Sequence, residues 1–167
     1  MRSTCRIGIV KNQSKYNLLE MKDYILSRAP FDVDTAIILG SGMGAFADRL
    51  NNPINISYND IPDYPLPTVK GHSGELSIGS IRDISLVVAK GRFHYYEGYD
   101  METIALPVRL FHSLGIKKLI ITNAAGSLSL NIPPGQMMIL DSHMDCTFRK
   151  SVSVPKKYIS KRYHDPS

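Results

Sequence analysis

Apolar positions along the chain follow two periods, one typical of helices and one of strands. A helix is predicted over 16–29, where four apolar side chains recur three or four positions apart: Leu18, Met21, Ile25 and Ala29. A second helix is predicted over 101–114, interrupted near Pro107 because proline removes one backbone hydrogen bond. Short apolar or alternating runs predict strands over 34–39, 54–58, 75–81, 84–90, 117–122 and 137–140. This pattern predicts an α/β fold with a mixed twisted β-sheet flanked by helices.

A glycine-rich segment, Gly40-Ser41-Gly42-Met43-Gly44, directly follows the first predicted strand and precedes the helix-compatible residues 45–50. Glycines allow the backbone to approach a ligand closely, and amide groups that open a helix favour an anion. Ser41 adds a hydroxyl donor. The spacing is neither that of the dinucleotide fingerprint nor that of a P-loop. Both a phosphate-binding loop and a plain tight turn fit this segment.

The segment that follows the strand 84–90 is rich in polar chemistry: Gly91-Arg92-Phe93-His94-Tyr95-Tyr96-Glu97-Gly98-Tyr99. If residues 92–96 are extended, Arg92, His94 and Tyr96 share one face, and Phe93 and Tyr95 pack on the other. A guanidinium matches phosphate or carboxylate, His94 adds a donor, and Tyr96 can bond a sugar hydroxyl. The alternative is a surface strand end with partly solvated side chains.

The strand predicted over 117–122 ends in four small residues, Asn123-Ala124-Ala125-Gly126. Ligands in open α/β sheets bind at the carboxyl ends of strands. The strand ends after Leu39, Lys90 and Thr122 are therefore candidates to form one pocket, and three unrelated turns are the alternative.

The net charge of +5 is concentrated at one end of the chain. Residues 1–146 carry 14 Lys plus Arg and 14 Asp plus Glu, whereas 147–167 carry six basic residues and one Asp. We expect 147–167 to be a basic, mobile tail. Its charge, with Tyr158 and Tyr163, also suits nucleic acid, but the chain has no basic helix face and no known nucleic-acid motif, so we expect no such partner.

The remaining composition fits one soluble domain. There is no apolar run of membrane-spanning length and no secretory leader, so we expect a cytoplasmic protein without a membrane partner. Cys5 and Cys146 lack metal-ligand spacing and are expected to be free thiols.

The order of the motifs resembles the trimeric class of purine nucleoside phosphorylases. The resemblance rests on the segments 40–44 and 91–99 described above, and on further short motifs: Ile61-Pro62-Asp63-Tyr64-Pro65, Gly71-His72-Ser73-Gly74, Leu106-Pro107-Val108-Arg109 and Thr122-Asn123-Ala124-Ala125-Gly126. It implies phosphorolysis of purine ribonucleosides or deoxyribonucleosides to free base and pentose 1-phosphate in purine salvage. It also implies a homotrimer that uses inorganic phosphate and neither a metal nor an organic cofactor.

The resemblance assigns roles to individual residues. It implies that Ser41, Arg92 and His94 act in catalysis, that a wider set binds phosphate, and that Tyr96 contacts the ribose. The implied phosphate ligands are Ser41, His72, Arg92, His94 and the backbone of Ala124. Ala125 and Gly126 would lie beside the purine, and Glu97 and Asn123 would orient their neighbours.

Compared with that family, residues 1–146 correspond to the N-terminal part of a nucleoside phosphorylase domain, and the residues that bond the purine have no counterpart. Ser127 also stands where the family usually has a second glycine. We therefore expect a truncated fold with exposed apolar surface. The alternative to an active enzyme is an impaired fragment that binds phosphate or associates with full-length subunits.

Overall fold

The computed structural model describes residues 14–29, 32–67 and 73–142, together with the backbone of 143–144 and 163–164. Contacts between residues divide the chain into two units, 1–124 and 125–167. His72 and most of the tail predicted over 147–167 lie outside the described residues.

A mixed five-stranded sheet forms the centre of the first unit, in the order β2-β3-β4-β1-β5. Its strands are β1 (Thr35–Ile38), β2 (Asn51–Ser57), β3 (Glu75–Ile81), β4 (Ile84–Lys90) and β5 (Lys118–Ile121). Strand β1 is parallel to both of its neighbours, β4 and β5, whereas β2, β3 and β4 are antiparallel. The α/β class and the mixed sheet predicted from the sequence are confirmed.

The hairpin predicted over 75–90 has the expected register. Ile81 pairs with Ile84, so Arg82 and Asp83 form a two-residue turn. Strand β2 begins earlier than predicted because Asn51 pairs with Ser80 before an irregularity in the register.

Two helices cover one face of the sheet. Helix α1 (Leu18–Arg28) is capped by the Asn17 side chain, and helix α2 (Met101–Ser113) is capped by Asp100. Helix α2 continues through Pro107, so the predicted interruption is wrong. The buried side chains around this proline, including Leu106 and Leu110, provide packing that offsets the lost backbone hydrogen bond.

Strands β1 and β4 contribute side chains to a separate hydrophobic cluster on each face of the sheet. Ala36 and Ile38 belong to the cluster that includes α1 and α2, whereas Ile37 and Leu39 belong to a smaller cluster with Ala47 and Leu50. Successive residues of a strand point to opposite faces, so an uninterrupted apolar run fits a strand that is buried on both sides.

Two local predictions are wrong. Residues 44–49 form a 3₁₀ helix rather than the start of an α-helix, without a side-chain hydrogen bond at its cap. Residues 137–140 form no strand and are exposed, and within the described residues they have no strand partner. An apolar run needs hydrogen bonds from a neighbouring strand before it becomes part of a sheet.

Strand β5 lies at an edge of the sheet and exposes its apolar side chains. Ile120 is 50% exposed and Ile121 is 56% exposed, in contrast to the buried residues of β1. This exposure agrees with the expectation of apolar surface drawn from the sequence. No helix in the described part of the chain has the length and hydropathy needed to cross a bilayer.

The described strands of the second unit are short. Strand β6 (His143–Met144) pairs in parallel with β7 (Tyr163–His164), and His143 is opposite Tyr163.

Four aromatic side chains pack together beside Gly91, and two of them belong to the segment 91–99. Tyr64 lies 4.7 Å from Tyr58 and 5.8 Å from Phe93, and Phe93 lies 5.2 Å from Tyr99, measured between ring centroids. The Tyr58 hydroxyl donates to the carbonyl of Gly91 at 3.0 Å. Burial raises the pKa of both Tyr58 and Tyr64, so both phenols stay neutral at physiological pH. The cluster holds the backbone at the carboxyl end of β4.

Tyr64→Phe is expected to leave stability unchanged or to raise it by about 1 kcal/mol, because the buried hydroxyl has no hydrogen-bond partner among the described residues. Tyr58→Phe is the matched control, and it should lower stability by about 1 kcal/mol because it removes the bond to Gly91. Urea unfolding of both variants measures the two effects. A loss above about 1 kcal/mol in Tyr64→Phe would show that its hydroxyl is bonded in solution.

Candidate functional site

The carboxyl ends of β4, β1 and β5 lie next to one another, as predicted for the strand ends after Lys90, Leu39 and Thr122. The amide of Leu39 donates to the carbonyl of Ala89 at 3.0 Å, and the amide of Thr122 donates to that of Ile38 at 3.0 Å. The amide of Gly40 donates to Thr122 Oγ1 at 2.8 Å. Polar residues that are distant in sequence are therefore adjacent in the first unit.

Arg92 crosses from the end of β4 to the end of β5. Its Nη1 donates to the carbonyl of Thr122 at 2.6 Å, and its Nε donates to His94 Nε2 at 3.2 Å. Phe93, between the two polar residues, is buried in the aromatic cluster. The predicted alternation over 92–94 is therefore present, with Arg92 and His94 on the side opposite Phe93.

Glu97 bonds His94 twice. Its Oε1 lies 2.7 Å from His94 Nδ1 and accepts from the His94 amide at 2.8 Å. Because an arginine nitrogen only donates, His94 Nε2 accepts, and we infer that the ring proton is on Nδ1 and is donated to Glu97. In this arrangement His94 can donate to an anion only if its ring gains a second proton.

The extended segment stops at His94, and a 3₁₀ helix over Tyr95–Glu97 follows. Tyr96 stacks on His94 with ring centroids 4.8 Å apart, so these two residues remain together. Tyr95 is 50% exposed, whereas Phe93 is buried, so the prediction that both face the interior fails at Tyr95. The 3₁₀ turn breaks the period of two on which that prediction depended.

The glycine-rich segment approaches the end of β5 closely at Gly40. A Cβ atom built on Gly40 would lie 2.6 Å from the carbonyl oxygen of Thr122 and 2.9 Å from Asn123 Cα. The next residues, from Ser41 to Gly44, are exposed, and Gly42 has a φ of +83°. The segment therefore presents the hydroxyl and backbone of Ser41 to solvent beside the residues of β5.

The electrostatics of this edge favour an anion. No carboxylate in the described ranges lies within ion-pair distance of the Arg92 guanidinium, whereas Glu97 bonds His94. Arg92 is only partly buried. Asn123 and Ala124, the two residues that follow Thr122, are exposed. A cation, exposed backbone amides and hydroxyls are groups that bind phosphate and sugar.

Several predicted site residues are not part of the geometry given above for the first unit. His72 lies outside the described residues, and Ala125 and Gly126 belong to the second unit. The sequence reasoning missed the side chain of Thr122, which contacts the glycine-rich segment and whose carbonyl binds Arg92. The signal was its position as the last polar residue of an apolar strand.

Comparisons with known proteins identify the family of this chain. Residues 34–167 match the family model described as Phosphorylase superfamily. "Purine nucleoside phosphorylase 1" of Bacillus subtilis is 42% identical over 122 residues, which are 73% of this chain and 45% of that protein.

Two solved structures are similar in fold as well as in sequence. A purine nucleoside phosphorylase in complex with ribose-1-phosphate has a TM-score of 0.64 and 41% identity, over 70% of this chain and 43% of that one. The Schistosoma mansoni purine nucleoside phosphorylase in complex with inosine has a TM-score of 0.62 and 39% identity, over 70% of this chain and 40% of that one. The chain thus spans less than half the length of these relatives. With the family model matched over 34–167, this chain belongs to the phosphorylase superfamily.

Proposed function

We propose that this chain carries the phosphate-binding part of a purine nucleoside phosphorylase. The proposed reaction converts a purine ribonucleoside or deoxyribonucleoside and inorganic phosphate to the free base and a pentose 1-phosphate. The observation that carries the proposal is the meeting of Arg92, His94 and the glycine-rich segment at the ends of three strands. The relatives bound to inosine and to ribose-1-phosphate support the substrate class.

In the proposed reaction a phosphate oxygen bonds the anomeric carbon of the sugar while the bond from that carbon to the purine nitrogen breaks. The electron pair of the broken bond leaves with the purine, which takes up a proton, and the phosphate gives up one proton overall as its oxygen bonds the sugar. The sugar passes through a state with positive charge, so positioning and charge stabilisation supply most of the catalysis. The protein's task is to hold phosphate beside the sugar.

The residues divide this task by their chemistry. Arg92 neutralises phosphate, and Ser41 and the amide of Ala124 donate hydrogen bonds to it. His94, once its ring is doubly protonated, adds a further donor, and Glu97 stabilises that charge at 2.7 Å. The exposed phenol of Tyr96 contacts the ribose. His72, Ala125, Gly126 and Asn123 keep the roles that the family resemblance implies for them.

The proposal extends to the surroundings of the reaction. Inorganic phosphate is the co-substrate, and neither a metal nor an organic cofactor takes part. As in the trimeric class that the motifs resemble, the assembled enzyme is a cytoplasmic homotrimer of purine salvage. It needs neither a membrane nor a nucleic acid.

The second candidate is a fragment that binds phosphate and associates with full-length subunits without turnover of its own. The exposed β5 edge favours it, because apolar side chains there, and backbone groups that pair with no strand on that side among the described residues, offer a surface for another chain.

Phosphate-dependent release of hypoxanthine from inosine by the purified 167-residue chain separates the two candidates. Release that requires phosphate and is lost in Arg92→Ala supports the enzyme. We expect it to be slower than release by a full-length relative assayed alongside, because the 167 residues span less than half the length of the relatives that they match. Phosphate binding without release supports the fragment. A folded chain that does not bind phosphate overturns both.

A further inference from the structure

We infer that Thr122 is a positioning residue, whose hydroxyl keeps its own carbonyl available to hold Arg92. The inference rests on the proposed phosphate site and adds to it a residue that does not touch the substrate. It concerns the place where β1 and β5 stop pairing as strands.

The parallel pairing of β1 with β5 has a regular register up to Ile38, which is opposite Ile121. In a parallel pair the next hydrogen bond would run from the amide of Gly40 to the carbonyl of Thr122. That bond is replaced. The Gly40 amide donates to Thr122 Oγ1 at 2.8 Å, and the hydroxyl itself lies 3.4 Å from the carbonyl of Ile38.

The carbonyl of Thr122 instead accepts from Arg92 Nη1 at 2.6 Å. The same guanidinium donates through Nε to His94, so two of its nitrogens are fixed by acceptors on different elements. The bond to Thr122 does not depend on His94, whose Nε2 stops accepting when the ring donates to phosphate, so Thr122 is the acceptor that sets the direction of the guanidinium fork for phosphate.

Gly40 makes the exchange of partners possible. Its Cα hydrogen faces the carbonyl oxygen of Thr122, where any side chain would collide at 2.6 Å. The hydroxyl of Thr122 thus links the glycine-rich segment to β5, and its carbonyl links β5 to Arg92. A residue without a hydroxyl at position 122 would leave the Gly40 amide to bond the carbonyl there, as in a regular parallel pair, and so to share that acceptor with Arg92.

The test measures inorganic phosphate binding by isothermal titration in the full chain and its variants. Thr122→Val removes the hydroxyl at nearly constant volume and is expected to weaken phosphate binding by about tenfold. Thr122→Ser retains the hydroxyl and should bind within about twofold of the native chain. Thr35→Val is the matched control at the opposite end of β1, where the hydroxyl bonds only Asp34 among the described residues, and its phosphate binding should not change.

Each outcome bears on a different claim. Native binding in Thr122→Val, or a serine variant as weak as the valine variant, overturns the positioning role but leaves the phosphate site intact. A native chain that is folded and does not bind phosphate overturns the proposed function as well. If Thr122→Val does not fold, Thr122→Ala removes the same hydroxyl, and its binding is judged by the same criteria.

Discussion

Arg92→Ala is expected to weaken phosphate binding by about 100-fold while the chain stays folded, since hydrogen bonds to a charged group contribute about 1.5 to 3 kcal/mol each. Arg92 brings positive charge just after the end of β4, where Lys90 is already paired with Glu75, and no carboxylate among the described residues neutralises Arg92 by an ion pair. Its side chain is only partly buried, so its removal leaves the aromatic cluster beneath it intact. The loss should therefore fall on the ligand and not on the fold.

Isothermal titration with phosphate, together with circular dichroism, measures both parts of this expectation. Arg109→Ala is a suitable control, because Arg109 bonds Glu102 at 3.1 Å on helix α2 and has no part in the proposed site. It should bind phosphate like the native chain. Unchanged binding by folded Arg92→Ala would show that phosphate is held elsewhere.

Gly40→Ala is expected to destabilise the first unit by about 3 kcal/mol, because the added methyl group overlaps backbone atoms that cannot move aside alone. The contact of 2.6 Å involves the carbonyl that binds Arg92, and the contact of 2.9 Å involves Asn123 Cα. Relief of the overlap must push the end of β5 away from β1. Phosphate binding should weaken together with stability, by about tenfold or more, because Arg92 then loses its acceptor.

Gly44→Ala serves as the control for stability in the same segment. A Cβ atom at Gly44 would meet nothing within 4 Å, so its free energy of unfolding should stay within about 0.5 kcal/mol of the native value. Urea unfolding compares the two variants. If Gly40→Ala proves as stable as Gly44→Ala, the close approach of the strand ends is absent in solution.

Strand β5 is easy to predict as a strand, yet it differs from its neighbour β1 in how far its side chains are buried. Its apolar run has the same character as that of β1, but β1 is covered on both faces and β5 is exposed. Sequence alone reveals the tendency of such a run to form a strand. Its place in the sheet depends on which segments pair with it.

Much of the candidate site could be anticipated because its residues lie immediately after strands. Glycines after Leu39 and the polar run after Lys90 mark places where regular pairing ends, and parallel strands bring such places to one edge. The exposure of Tyr95 could not be anticipated, because the change from extended chain to a 3₁₀ turn at His94 depends on the double contact with Glu97. The strand predicted over 137–140 is wrong for another reason, because its apolar run has no partner strand among the described residues.

Periodicity and neighbouring residues are enough to predict the order of helices and strands, the hairpin over 75–90 and the chemistry available at each strand end. The two bonds of Thr122, from the Gly40 amide to its side chain and from Arg92 to its carbonyl, become visible in the folded chain alone. Those bonds join residues that are 82 and 30 positions apart. Such partners are chosen by the order and direction of strands in the sheet, which no local pattern specifies.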